Sequence, residues 1–314
     1  MEFAPHTDDD VRQMLDVLGL SSVEELFAPI PERLRFERDL DIPLGISEIE
    51  VLRDLHTLAA KNRSADELIC FLGAGAYDHH VPSMVWPLLS RGEFATSYTP
   101  YQPEMSQGVL QALFEYQTMI SELAGLEISN ASLYDGGSAV AEAVHMATAA
   151  TGRKAVVLAG CVNPLYVGVL RTAARGPELE IRETGWGSGG TADLDAVRAA
   201  ASDASAVIVQ HPSFFGTLED VGALADVAHE AGAKLIVHFD LTSAGLLESP
   251  GACGADVVVA EGQPFGNHLN FGGPYVGVIA CRRKDARRLP GRLVGETVDR
   301  EGRRAFVLTL QARE

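Results

Sequence analysis

Between residues 155 and 280 the chain carries a series of short, almost uncharged runs of Val, Ile, Leu and Ala, each separated from the next by a stretch of helical character. The runs at 155–159, 206–210, 234–239, 255–260 and 275–280 are short, β-branched and too apolar to leave one face wet, so they read as strands covered on both sides. Residues 179–183 alternate and read as a more exposed strand. Helices are expected over 139–151, 165–174, 193–201 and 218–231. Strands and helices taking turns in this way imply a largely parallel sheet with helices on both faces. A long amphipathic helix precedes them over 104–126, with Leu110, Leu113, Phe114, Met119 and Leu123 on its apolar side.

The first 95 residues are of another kind, helical and irregular. Thr7 followed by Asp8, Asp9 and Asp10 is a capped helix start, with carboxylates against the positive end of the helix. Ser21, Ser22, Glu24 and Glu25 are expected to repeat the device. Pro29, Pro31 and Pro43 punctuate the connections. Ile46, Ile49, Leu52, Leu55 and Leu58 form a helical stripe that must pack on a neighbouring subunit or on the main body. The expected organisation is a helical arm over 1–95, an α/β large domain over 96–290, and over 291–314 the start of a C-terminal region that is cut short.

A chain of 314 residues suits about two such domains. Its net charge of −18 argues against a nucleic-acid-binding surface, and the ten Lys/Arg and five Asp/Glu of residues 282–314 leave a still more acidic body before them. The longest uncharged run, 262–281, holds five glycines, two prolines and His268, so no membrane span is expected. Cys70, Cys161, Cys253 and Cys281 are widely spaced, with no C-x-x-C pair. That pattern fits buried thiols in a reduced, cytoplasmic chain and gives no metal site. No signal-peptide pattern opens the sequence.

In open parallel sheets ligands bind outside the carboxyl ends of the strands. Cys161 and Asn163, His211, Asp240, and Glu261-Gly262-Gln263 fall at those ends. Asp135-Gly136-Gly137-Ser138 opens the Ala-rich helix, where free N–H groups and the helix dipole suit a phosphate. A phosphate cup together with a strand-end carboxylate to pair a pyridinium nitrogen is the layout of a pyridoxal-phosphate pocket. Such a pocket needs a lysine to hold the aldehyde as a Schiff base. The chain has four: Lys61, Lys154, Lys234 and Lys284. Lys154 and Lys234 precede their strands, Lys284 follows the last one in a basic run, and Lys61 ends an N-terminal helix. None stands where a cofactor lysine should. Gly73-Ala-Gly75 lacks the third glycine and the βαβ unit of a dinucleotide fingerprint, and His79-His80 has no third ligand nearby.

The segments Phe71-Leu-Gly-Ala-Gly-Ala-Tyr-Asp-His79, Tyr98-Thr-Pro-Tyr101-Gln-Pro-Glu-Met-Ser-Gln-Gly108, Tyr134-Asp-Gly-Gly-Ser-Ala-Val-Ala-Glu142, His211-Pro-Ser-Phe-Phe-Gly216 and Phe271-Gly-Gly-Pro-Tyr275 resemble the N-terminal subunit (subunit 1) of the glycine cleavage system P-protein. The resemblance runs the length of the chain. It implies a type I pyridoxal-phosphate-transferase fold, with the cofactor on a lysine of P-protein subunit 2 in a heterotetramer of two plus two. The pair decarboxylates glycine and passes the aminomethyl group to the lipoyl arm of the lipoylated H-protein. On that reading no cofactor is bound covalently by this chain. Gln263, eleven residues before Pro274, takes the lysine's place; Asp240 matches the pyridinium partner and Gly136, Gly137 and Ser138 match the phosphate cup. With His211 these form a vestigial pocket. No residue of this chain alone is expected to be catalytic, while Tyr98, Thr99 and Tyr101, in a loop rich in prolines, are candidates to reach the partner's site. A free-standing pyridoxal-phosphate enzyme is disfavoured by the lysine census. An inert structural or regulatory homologue stays open.

Overall fold

The computed structural model describes residues 5–36, 38–64, 67–69, 71, 73–95, 99–270 and 273–310. Its contacts divide the chain into two compact units, Met1–Cys70 and Phe71–Glu314. The segment expected as a single arm over 1–95 is thus shared: 1–70 forms a unit of its own and 71–95 groups with the α/β body.

In the first unit, α1 (Asp8–Leu18) starts at a reciprocal cap, Thr7 accepting from the Asp10 N–H and Asp10 accepting from Thr7. Helix α2 (Glu48–Ala59) repeats this with Ser47 and Glu50. The cap expected at Ser21–Ser22 is different. Ser22 precedes a short 3-10 turn, Val23–Phe27, and makes no side-chain cap bond; Glu25 instead accepts from the Ser21 N–H and hydroxyl. A five-residue tight turn has too few free N–H groups to need the full device. No residue of α2 is buried, so its apolar stripe is exposed.

The second unit opens with α3 (Val85–Leu89), α4 (Gly92–Ala95) and the long α5 (Gln107–Ala124), and then enters the sheet. Its elements are β1 (Ile128–Ser129), α6 (Gly136–Thr151), β2 (Ala155–Ala159), α7 (Pro164–Ala173), β3 (Glu180–Glu183), α8 (Leu194–Ala200), β4 (Ala204–His211), α9 (Val221–Glu230), β5 (Lys234–Phe239), β6 (Val257–Glu261) and β7 (Gly277–Cys281). The strand order is β1-β7-β6-β5-β4-β2-β3. Strands β3, β2, β4, β5 and β6 are parallel, and β7 runs antiparallel to both β6 and β1. The sheet is therefore mostly parallel and mixed at one side. A hairpin of β8 (Leu293–Val298) and β9 (Arg304–Thr309) follows. It buries Val294, Phe306 and Leu308 against Leu110 of α5. Two glutamines of α5 pin it: Gln117 donates to the Val294 carbonyl (3.0 Å) and accepts its N–H (2.9 Å), and Gln107 does the same with Phe306 (2.9 Å each).

The two-residue period of the strands decides what each helix layer meets. Val157, Val207, Val209, Leu235, Val237, Phe239 and Val258 pack with α5, α8 and α9. Val156, Leu158, Ile208, Ile236, Val257 and Val259 pack with α6 and α7. Continuing the alternation to the strand ends sends His211 to the α9 side. Gln210, His238, Asp240 and Glu261 go to the α6–α7 side.

Candidate functional site

The strand order reverses between β2 and β4, and the loops leaving those two strands open a crevice at the carboxyl edge, as open α/β sheets do. A cavity of about 410 Å³ lies there. Asn163 of the β2–α7 connection, Tyr166 of α7, Gln210 of β4, His238 of β5, Asp240 just after it and Glu261 of β6 line its polar side; Phe214, Phe215 and Tyr77 add aromatic walls.

Asn163, Gln210 and Asp240 have traceable partners, and His238 has none among the described residues. The Asn163 N–H donates to Gln210 Oε1 (2.8 Å), and the Asn163 side chain both caps α7 at Leu165 (2.9 Å) and donates to the Ala74 carbonyl (3.2 Å). Asp240 spends its carboxylate on the turn that follows it, accepting from the Thr242 N–H (3.0 Å) and hydroxyl (2.7 Å) and from the Ser243 hydroxyl (3.1 Å). His238 is the exception. It is buried on the α6–α7 face, its ring meets Tyr166 edge-on with centroids 4.9 Å apart, and neither ring nitrogen has a hydrogen-bond partner in the protein. Burial pulls its pKa down to about 4 against a weaker upward pull from Asp240, so the ring is neutral at pH 7.

The expected pocket residues are not all brought together. His211 sits on the other face, buried and stacked on Phe239 with centroids 6.0 Å apart; its Nδ1 accepts the Glu219 N–H (3.1 Å) and burial lowers its pKa. Gln263 is buried in a short turn after β6, its amide donating to the Asn267 carbonyl, and it stands outside the cavity lining. Gly136, Gly137 and Ser138 do form the first turn of α6, but that turn is already occupied. Asp135 accepts the Ser138 N–H (2.6 Å) and Glu261 accepts the Gly136 N–H (3.0 Å). Tyr166 presses so close that a Cβ at Gly136 would stand 2.8 Å from its hydroxyl oxygen. Burial, then the charge of Glu261, drives the Tyr166 pKa upward, so the phenol stays protonated.

The lysines confirm the edge read from the sequence. Lys234 begins β5 at the amino edge, 3.1 Å from Asp256 and 3.0 Å from Asp285. Lys284 is 3.5 Å from Asp256, and Lys154 is exposed, 3.8 Å from Glu178. Lys61 belongs to the first unit. No lysine lines the cavity. The residues present do not fit pyridoxal phosphate: among the described residues no amine lines the cavity for its aldehyde, and the Glu261 carboxylate already takes the Gly136 N–H at the start of α6.

Tyr98 lies outside the described residues. Thr99 lines a separate cavity of about 530 Å³ with Tyr134 and Arg292, and Tyr101 is half-exposed beside it. Arg292 donates to the Tyr101 hydroxyl (3.4 Å) and its guanidinium lies 5.7 Å from the ring centroid. Among the described residues no three His, Cys, Asp or Glu side chains are grouped to hold a metal ion, and no helix is long and apolar enough to cross a membrane.

The glycine cleavage system P-protein family model matches residues 1–314. The chain belongs to this family. Among its relatives, the probable glycine dehydrogenase (decarboxylating) subunit 1 of Carboxydothermus hydrogenoformans is 54% identical over all of this chain and 71% of its own length. The like-named protein of Desulforamulus reducens is 52% identical over all of this chain and 70% of its own length. A crystal structure of glycine decarboxylase (P-protein) of the glycine cleavage system, in inhibitor-bound form, superposes with a TM-score of 0.90 at 48% identity, covering all of this chain and 70% of that one. The fold is the type I pyridoxal-phosphate-transferase-like α/β architecture of that enzyme.

Tyr166 and His238 were the residues that motif reading passed over. Tyr166 follows Asn163 by one helical turn, so it was bound to face the start of α6 once α7 packed there. His238 falls on the α6–α7 side by strand period alone.

Proposed function

We propose that this chain is the cofactor-free subunit of a glycine dehydrogenase (aminomethyl-transferring) and acts only with its partner, P-protein subunit 2, in a cytoplasmic heterotetramer of two plus two. The observation that carries this reading is a P-protein whose strand-end cavity has no lysine. The subunit 2 lysine then holds pyridoxal phosphate, the assembly decarboxylates glycine as the first step of its catabolism, and the lipoylated H-protein receives the aminomethyl group. This chain's own cavity is a relic in that scheme. Its contribution to chemistry comes from loops that face the partner. The helical unit over 1–70, with the exposed stripe of α2, is the element suited to hold that partner.

The test is to purify this chain together with the lysine-bearing chain, add pyridoxal phosphate, reduce with borohydride and map the modified lysine by mass spectrometry. The adduct is expected on the second chain. A stoichiometric adduct on Lys61, Lys154, Lys234 or Lys284 of this one overturns the assignment.

Tyr101 supplies a second check. Its hydroxyl accepts from Arg292, a phenol of this kind can hydrogen-bond a carboxylate or phosphate, and one lost contact of that sort costs about 1–3 kcal/mol, roughly ten- to a hundred-fold in rate. Tyr101→Phe is expected to slow glycine–bicarbonate carbon exchange by that factor while sedimentation shows an intact assembly. The same is expected of Tyr98→Phe. Full activity in both and in the double variant assigns the loop to packing.

A further inference from the structure

Glu261, which lines the cavity at the strand ends, also reaches the start of α6 beside it. At the start of α6, a helix of 16 residues, the N–H of Gly136 and the positive end of the helix dipole face the sheet. The group they meet is the Glu261 carboxylate. Its Oε2 accepts from Gly136 (3.0 Å), and its Oε1 accepts from the N–H groups of Gln263 and Val276 (2.9 Å each). Three donors from three separate segments thus converge on one anion: the start of α6, the turn after β6, and the approach to β7. A plain helix cap does not require this, because Asp135 already caps α6 through Ser138. Nor is the placement cheap for a carboxylate, since burial pushes the Glu261 carboxyl up against the pull of those donors. Beside it the cavity holds the buried ring nitrogens of His238, a polar surface that no described residue satisfies.

We infer that Glu261 is a specificity-determining residue: an internal anion that takes the Gly136 N–H at the start of α6, beside this chain's strand-end cavity, and so keeps phosphorylated ligands, pyridoxal phosphate among them, out of this subunit. Its consequence for the assembly rests on the reading that the partner holds the cofactor; its chemistry rests only on the contacts of Glu261. A phosphate monoester and the carboxylate compete for the same three N–H groups and for the same dipole. While Glu261 is present, the competitor is tethered and always at hand. The carboxylates of Glu261 and Asp240 also line the cavity, where His79 and His238 are the basic side chains present and, among the described residues, no Lys or Arg is found.

The experiment compares the full chain with Glu261→Gly and Glu261→Ser, using inorganic phosphate as the probe. Binding is read by phosphorus NMR and calorimetry, and thermal unfolding is followed in phosphate and in chloride at equal ionic strength. The wild-type chain is expected to show no saturable binding. Each variant is expected to bind phosphate at least about tenfold more tightly than wild type and to melt higher in phosphate than in chloride. Equal behaviour of wild type and variants, whether all bind or none does, overturns the inference. If the variants do not fold in chloride, recovery of the fold in phosphate supports it and failure in both salts overturns it. Pyridoxal phosphate is run in parallel on the wild-type chain. Binding there removes the assignment of the cofactor to the partner, whereas silence there together with phosphate-blind variants removes only the role of Glu261.

Discussion

Asp256→Ala is expected to cost the folded chain about 3–5 kcal/mol, the range seen when one partner is removed from a buried ion pair. Asp256 begins the approach to β6 at the amino edge of the sheet, with its side chain only 6% exposed. It holds Lys234 (3.1 Å), accepts from His229 Nε2 (2.8 Å) and takes the Leu235 N–H (3.1 Å). Burial alone would raise its pKa. The His229 hydrogen bond, the charge of Lys234 and the Leu235 N–H together outweigh that and hold it below the usual range. Removing the carboxylate leaves a backbone donor unsatisfied and Lys234 with Asp285 alone. Equilibrium urea unfolding at pH 7 measures the loss. Asp256→Asn keeps two hydrogen-bonding atoms and is expected to lose less. A loss below about 1 kcal/mol in the alanine variant would mean that solvent reaches the cluster and that the pair is a surface one. Because the pKa of Asp256 is depressed in the folded state, its share of the stability is present above the ordinary carboxylate range and disappears as pH falls through the folded value.

The same cluster shows what Lys234 does at the edge where the sequence puts it. A lysine just before a strand lies at the amino edge, and Lys234 is held there by two carboxylates, on the far side of the sheet from the cavity. That much followed from the position of Lys234 ahead of a Val/Ile run. The direction of β7 did not, because an apolar run carries no sign of whether its neighbour is parallel or antiparallel. Residues 293–298 were not read as a strand at all. Arg292, Glu296 and the charges around 299–304 hide a hairpin whose apolar side is supplied by Val294, Phe306 and Leu308 and whose edges are fastened by Gln107 and Gln117 from nearly two hundred residues away.

The candidate site was legible as a place and less so as a set of residues. Strand ends, the Gly136–Gly137 helix start and Asp240 could each be marked along the sequence. Which face each strand-end residue takes depends on register, and register is a period-two count that a slip of one residue inverts. Counting from Val257 and Val259 puts Glu261 under α6, and counting from Val207 and Val209 takes His211 away from it. Asp240 lines the cavity, yet its carboxylate is engaged by Thr242 and Ser243, a local competition that short polar side chains win easily at the end of a strand. The residues expected to form one pocket are therefore divided between two faces of one sheet.

His238 makes that division measurable. Its pKa is drawn down to about 4 in the folded chain, against an ordinary histidine value near 6.5 when unfolded. The unfolded chain therefore binds the proton more readily, and stability falls as pH drops from about 6.5 towards 4. Two and a half pKa units correspond to about 3 kcal/mol at the bottom of that window, and about 2 kcal/mol of it is expected between pH 7.5 and pH 5. Asp256 and other carboxylates contribute to the same acid limb, so the quantity to read is the difference between wild type and His238→Leu. Urea unfolding at the two pH values is expected to show a shallower decline in the variant by about 2 kcal/mol, with carbon-13 NMR of the labelled ring following the titration directly. Of the groups facing the ring, Asp240 favours the charged form and the protonated Tyr166 phenol opposes no charge, so neither reverses the sign. An unchanged slope in the variant would place the His238 nitrogens in contact with water, and the cavity they line would then be an open one.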